Sequence, residues 1–465
     1  MKFAAEALTV GDQAARSGLP LLLRALLLCG EGAKVSVALV DGLIVELDAK
    51  ISMQLSAILH HERFRQLETS WRSLKFLTDR VDFQQNIILQ FMNLSKEDLL
   101  SDLEDSPEVT ISGFYRQVYV AEYGQFGGQP VGAVIANYEF SPCPSDIRLL
   151  THVASVAAMA HAPFIAGAGK EFFGCDSWEA FSTLRDLRSI FEMPQYAAWR
   201  AFRASDDARY VCLTLPGFLF RLPYGIGALT TKTFAFAEQL DGVEDLCWGN
   251  AAFALADRLA DSFARYRWCV NIIGPQGGGV VENLPLYSFG GNAREYKIPT
   301  RVLISEQREF ELSDEGFISL AIRRGVENAV FFSATTCQKP KIFDSTLEGK
   351  DAEISSKLSA QLPYMMIMNR LIHYIKVLHR ENIGSWKDRN MLEMELNKWM
   401  NQYVTEMDTP DAVTRSRRPL RMATIAVSEV PHNPNWFEVA IRARPHFKFM
   451  GADFTLSLTG KLDRE

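Results

Sequence analysis

With 465 residues, 48% of them hydrophobic and 23% charged, the chain is long enough for roughly two to three buried cores and has the make-up of a folded globular protein. Its formal charge of −7 argues against a general affinity for nucleic-acid backbones or anionic membranes. The seven cysteines are scattered, with no CxxC among them, which disfavours a zinc knuckle or a disulfide framework and suits a reducing cytoplasm.

The chain opens on small residues and two glycine-containing breaks, read as an arm. Within it, residues 19–29 (LPLLLRALLLC) are apolar but far short of the about 20 residues a membrane span needs. Glu6 and Asp12 precede them, where a signal peptide would be basic. A short packed helix stopped by Gly30 fits best. Helical patterning then starts near Ser36. Leu47, Ile51, Leu55, Ile58 and Leu59, and then Phe64, Leu67, Trp71 and Leu74, recur at steps of three and four. This predicts two amphipathic helices broken near His60 and His61, each with one apolar side in a core.

Residues 87–91 and 131–138 read as strands, separated by a helix for which Ser95 and Asp98 form a capping pair. Residues 146–160 and 250–266 read as buried helices, and YVCLTL (210–215) and 268–273 as strands. Residues 339–354 are polar and of mixed charge, a surface loop or boundary. Helices are expected over 358–380 and 388–404, then a β segment (MATIAVSEV, WFEVAIRARPHF, FTLSLTG) with a turn at 431–435. The fold class is therefore α+β, a mixed α/β chain.

The search for chemistry is largely negative. GPQGGGVV (274–281) lacks the Lys-Ser/Thr of a P-loop, and Val280, Val281 and Glu282 favour extended backbone, so a structural turn is expected there and at GGQP (127–130). His60 and His61 are adjacent, and His373 and His379 are six apart, so neither pair shares a helical ligand face. Asp206 and Asp207 read as a cap or as partners for Arg203 or Arg209, and Asp314 and Glu315, after Ser313, as a helix start. Tyr196, Trp199 and Phe202 form a buried stripe with Arg200 and Arg203 on its flank. No catalytic residue, cofactor or metal ligand is assigned. The alternatives are a cytoplasmic enzyme using loop 274–279, or a scaffold with the same fold that does not assemble.

Residues 47–77 (LDAKISMQLSAILHHERFRQLETSWRSLKFL) closely resemble the opening signature of the large subunit of the contractile sheath of type VI secretion systems, the TssC/VipB family. FGGQPVGAVIANYEF (126–140), WGNAAFALADRLADSFARYRWC (248–269), PQGGGVVENLP (275–285) and RPLRMATIAVSEVPHNPNWFEVAIRARPHF (418–447) continue the resemblance in the family's order. It implies a multi-domain, phage tail-sheath-like fold: an arm (1–46), a main body (47–350) and a C-terminal domain (351–465) whose terminal strands are available for strand addition between subunits. It also implies partners. These are a small sheath subunit, neighbouring copies in a six-fold helical lattice, an inner tube, a baseplate, and a Clp-class recycling ATPase acting mainly through the small subunit. On this reading the protein is cytoplasmic, belongs to a Gram-negative bacterium, contracts to propel the tube, and needs no cofactor. Ile425, Val427, Phe437, Val439 and Ile441 mark the expected linker strands. IGSWKDRNMLEMELNKWMNQYV (383–404) resembles the region facing the inner tube, marked by Lys387, Asp388 and Arg389.

Overall fold

The computed structural model describes residues 37–123, 125, 127–225, 236–287, 299–322, 328–343, 347–381, 389–405, 407, 410–430, 433–446 and 456–462. The apolar segment 19–29 and most of the expected arm lie outside them. The chain divides into two compact units. The first comprises Met1–Leu74, Leu219–Gly249 and Pro285–Lys297; the second comprises Lys75–Phe218, Asn250–Leu284 and Ile298–Glu465.

In the first unit, helices α1 (Val37–Leu59) and α2 (Glu62–Arg80, through Leu74) are separated at His60 and His61, as the periodicity predicts. Residues 37–46, expected in the arm, already belong to α1. The unit is held by a buried ion cluster. Arg221, 6% exposed, donates Nε to Glu68 Oε1 (2.7 Å) and Nη1 to Glu238 Oε2 (2.6 Å). Arg72 donates to the same Glu68 oxygen at 2.7 Å, and the Tyr224 amide to Glu238 at 3.0 Å. His60 Nε2 lies 3.1 Å from Glu238 Oε1. Burial is the largest influence and raises both carboxyl pKa values, but the hydrogen bonds and charge of Arg221, joined by Arg72 at Glu68 and by the Tyr224 amide and His60 at Glu238, together hold them below the ordinary value.

The second unit contains strands β1 (Val134–Phe140), β2 (Phe164–Ala168), β3 (Val211–Leu215), β6 (Val280–Val281), β7 (Phe317–Ile322) and β8 (Ala329–Phe331); β4 (Phe218–Leu219), at the boundary, and β5 (Trp248–Gly249), in the first unit, form a separate ribbon. The sheet order is β1-β2-β3-β7-β8-β6. The first four strands are parallel, and β8 is antiparallel to both β7 and β6. Parallel strands are covered on both faces, and every residue of β2 and β3 is buried, which explains the unbroken apolar runs FIAGA and VCLTL.

Among the helices, α3 (Lys96–Asp105) starts as predicted, with Ser95 Oγ accepting the Asp98 N–H. Helix α4 (Pro144–Ala160) crosses from β1 to β2, and α5 is Ala197–Ala204. Helix α6 (Ala251–Tyr266) packs along β1–β3, and its cap Asn250 donates to the Tyr138 carbonyl at 3.0 Å. A Cβ on Gly167 would lie 2.7 Å from that Asn250 amide, so β2 needs glycine there. Phe317 sits at the centre of the core, with ring centroids of Phe172, Phe173, Phe191 and Trp199 within 5.7 Å.

The rest of the second unit is α7 (Glu306–Asp314), α8 (Leu347–Ser359), α9 (Leu362–Glu381), α10 (Arg389–Met400) and an antiparallel sheet, β11-β10-β9, of β9 (Leu420–Val430), β10 (Asn433–Pro445) and β11 (Leu456–Leu462). Val439 faces Val427 and Ile441 faces Ile425 across β10 and β9, and this apolar face packs against Ile367, Leu371, Leu392, Leu396 and Met400.

Five expectations are corrected. Residues 87–91 form no strand; Ile88 and Phe91 are exposed, and no neighbouring strand supplies hydrogen bonds. Residues 268–273 alternate in burial like a strand, yet their polar groups bond to Ser262 Oγ and within the turn instead of to a ladder. The single helix expected over 358–380 is split at 360–361, where Gln361 bridges to Thr335, and α8 begins inside the segment expected to be a loop. Asp314 and Glu315 end α7; Ser305 caps its start.

Candidate assembly interface

Three features bear on function: an exposed apolar stripe, the margins of the C-terminal sheet, and the glycine loop. The stripe lies on α2. Phe64, Leu67 and Trp71, at i, i+3 and i+7, share one helix face as predicted, but that face is open, with Leu67 56% and Trp71 66% exposed. On α1, Ile44, Val45, Leu47, Met53 and Ile58 are exposed as well. The periodicity was that of a core, yet the residues buried on these helices include Ser52, Ser56 and Ser73. Apolar faces this extensive mark interaction surfaces.

The C-terminal sheet has two unlike margins. Along β9, Asn397 on α10 accepts the Ile425 N–H and donates to the Ile425 carbonyl, and Glu393 accepts the Val427 N–H at 3.1 Å. At the strand's start Leu420 bridges to Val404, and its carbonyl accepts the Thr405 N–H. The β9 edge is therefore covered by side chains and a neighbouring segment, a common protection against unwanted pairing. The opposite margin is β11. Ile425, Val427, Val439 and Ile441 are buried beneath the sheet, while Phe437 pairs through its backbone with Glu429 and Leu462. Of the three residues marked toward the inner tube, Lys387 and Asp388 lie outside the described residues. Arg389 opens α10 and is exposed, as are Met391 and Met394 further along the helix.

The glycine loop is tied to β8 by its two ends. The Gly274 amide donates to Phe331 O, the Gly279 amide to Gly274 O, and Gly279 O accepts from the Phe331 amide, so the loop's polar groups serve β8. A short strand follows it, not a helix. Tyr196, Trp199 and Phe202 form the expected buried stripe. Arg203 is also buried, however, and pairs with Glu315, a partner that sequence separation conceals; Asp206 pairs with Lys341 instead. Cys212 and Cys337 are buried, and burial raises their thiol pKa values, Cys337's to about 12. Cys29 lies outside the described residues. Among those residues no cluster of His, Cys, Asp and Glu could hold a metal ion, and no helix is long and apolar enough to cross a membrane.

Comparison with known proteins fixes the class. Residues 41–338 match the EvpB/VC_A0108 tail sheath N-terminal domain and residues 351–462 the EvpB/VC_A0108 tail sheath gpW/gp25-like domain. The type VI secretion system sheath protein TssC1 of Pseudomonas aeruginosa is 36% identical over 430 residues, covering 91% of this chain and 86% of that protein. Two solved structures overlap more loosely. The anti-feeding prophage baseplate structure, 6-fold symmetrised, has TM-score 0.35 at 9% identity, covering 82% of this chain and 81% of that one. The sheath tail protein Lin1278 of Listeria innocua has TM-score 0.33 at 13% identity, covering 75% and 60%. The chain belongs to the TssC/VipB (EvpB) family of type VI secretion sheath proteins. It is a structural subunit of a polymeric contractile sheath and not an enzyme.

Proposed function

We propose that this chain is the large subunit of a cytoplasmic sheath that pairs with a small sheath subunit, stacks in a six-fold helical lattice around an inner tube on a baseplate, and contracts to drive that tube outward. A Clp-class ATPase recycles the contracted form, acting mainly through the small subunit. The carrying observation is the family match over residues 41–338 and 351–462, in which both sheath domains occur in order. Energy for the stroke comes from the difference in packing between two lattices, so the chain needs no nucleotide site.

The exposed stripe Phe64, Leu67 and Trp71 supports a stable partner, which we assign to the small subunit. Lattice linkage runs through the arm (1–46) and the terminal strands, leaving 47–350 as the body and 351–465 as the C-terminal domain. Because side chains of α10 cover the β9 edge, an added strand joins at the β11 margin. Ile425, Val427, Val439 and Ile441 then act by holding the sheet in register. Residues 387–389 are proposed to face the tube. Co-purification tests the pairing. A tagged small subunit should retain the wild-type chain and lose a Leu67→Glu, Trp71→Glu variant of unchanged circular dichroism; retention of that variant would overturn the assignment of the stripe.

A further inference from the structure

A notch of about 40 Å³ in the second unit has no role in the account above. It is lined by Arg188, Glu192, Arg200, Arg203, Glu315 and Lys339, with Phe191 beside them. Four cations thus face two carboxylates, a surplus of positive charge on a chain whose formal charge is −7. Both carboxylates are already engaged. Glu315 is held by Arg203, which is 4% exposed and also donates to the Cys337 and Asp314 carbonyls; Glu192 lies 3.3 Å from Arg188 Nε.

The uncompensated charges are Arg200 and Lys339. Arg200 donates Nη1 to the carbonyls of Phe191 (2.6 Å) and Met193 (2.7 Å), which fixes the guanidinium plane. Its Nε and Nη2 have no partner among the described residues, and these two donors form the edge that receives a carboxylate side-on. Lys339 is exposed; its backbone is anchored by donation to Arg203 O, and its ammonium has no carboxylate within ion-pair distance among the described residues. A fixed guanidinium fork beside an exposed ammonium on an anchored backbone makes an oxyanion receptor.

We propose that this notch receives the carboxylate of an aspartate or glutamate side chain from a neighbouring sheath subunit. The notch is small and open to the surface, and it has room for a side-chain carboxylate. An ion pair at an open surface contributes little by itself, too little to hold a free monoanion but enough to fix register once a protein surface is docked. The inference rests on the assembly reading.

A zero-length carbodiimide tests it, because that reagent joins a lysine amine only to a carboxylate in contact. Tubules assembled from a mixture of ¹⁴N- and ¹⁵N-labelled chains, cross-linked and digested, should yield Lys339 joined to an Asp or Glu of a different polypeptide. Arg200→Gln should lower the yield of that cross-link. Lys339→Gln, a change at an exposed residue, should leave folding unchanged and make tubules dissolve at lower NaCl concentration. Tubules in which Lys339 is joined only to Glu192 or Glu315 of its own chain, or to nothing, would overturn the notch and leave the sheath reading intact. Failure of the wild type to assemble would overturn both.

Discussion

Asn397 stands in for a missing strand beside Ile425: its Oδ1 accepts the Ile425 N–H at 2.9 Å, and its Nδ2 donates to the Ile425 carbonyl at 2.8 Å. One amide side chain thus satisfies both backbone groups of a residue that is 1% exposed. Asn397→Leu removes both bonds and leaves two buried polar groups without partners, a loss of about 1–3 kcal/mol. The urea midpoint should fall with its slope unchanged, and a variant as stable as wild type would show that the edge is satisfied in another way.

The ion cluster of the first unit should be less forgiving. Arg221→Met strands Glu68 and Glu238 inside the protein, and breaking a buried pair in this way costs about 3–5 kcal/mol. The pH dependence has a definite sign. Both carboxyls titrate below their ordinary value of 4.5 when folded, so their stabilisation is complete above that value and is lost as pH falls through the lower folded values. Wild-type stability should drop steeply below pH 4.5. In the Arg221→Met variant that drop should be shallower, because the depression is gone; an unchanged acid limb would contradict this assignment.

Two half-buried histidines act at higher pH. Burial, reinforced by Lys376, pushes His161 down to about 2; burial pushes His373 to about 4 against the raising effect of its hydrogen bond to the Ala160 carbonyl. The unfolded chain therefore binds protons first, and stability falls from pH 6.5 downward by up to about 1.4 kcal/mol per pH unit for each histidine. His373→Gln keeps a donor for Ala160 O and removes the titration. Between pH 6.5 and 4.5 its stability should fall less than that of the wild type, and identical slopes would rule out His373 as a source.

The cysteines should sort by exposure. Cys143 is exposed and sits at the start of α4, its Sγ 2.9 Å from Ser141 Oγ and 3.3 Å from Ser145 Oγ. Partial burial raises its pKa, but the two hydroxyls and the Asp146 amide bring it below the ordinary value. In a Cys29→Ser background, one thiol should react promptly with a maleimide under native conditions and disappear in Cys143→Ser. Prompt labelling of Cys212 or Cys337 would contradict their burial.

Periodicity located the helices well, because a 3.6-residue repeat is local. It placed the break at His60 and His61, the cap at Ser95 and the helix after Asn250 correctly. It could not say what lies opposite an apolar face, so Leu67 and Trp71, patterned like core, are exposed. The strand expected at 268–273 failed for a related reason: alternating burial was present, but Ser262 Oγ took the hydrogen bonds a ladder would have used. Contacts between distant residues, such as Arg203 with Glu315 or Asn397 with Ile425, left no mark in spacing. The family, by contrast, was legible from blocks of wording spread along nearly the whole chain.

The most direct test of the account is co-expression of the chain with a small sheath subunit, followed by negative-stain electron microscopy of the purified complex. Hollow, striated tubules with six-fold symmetry in cross-section are the predicted result. Discrete soluble particles alone, across a range of salt and pH, would contradict it.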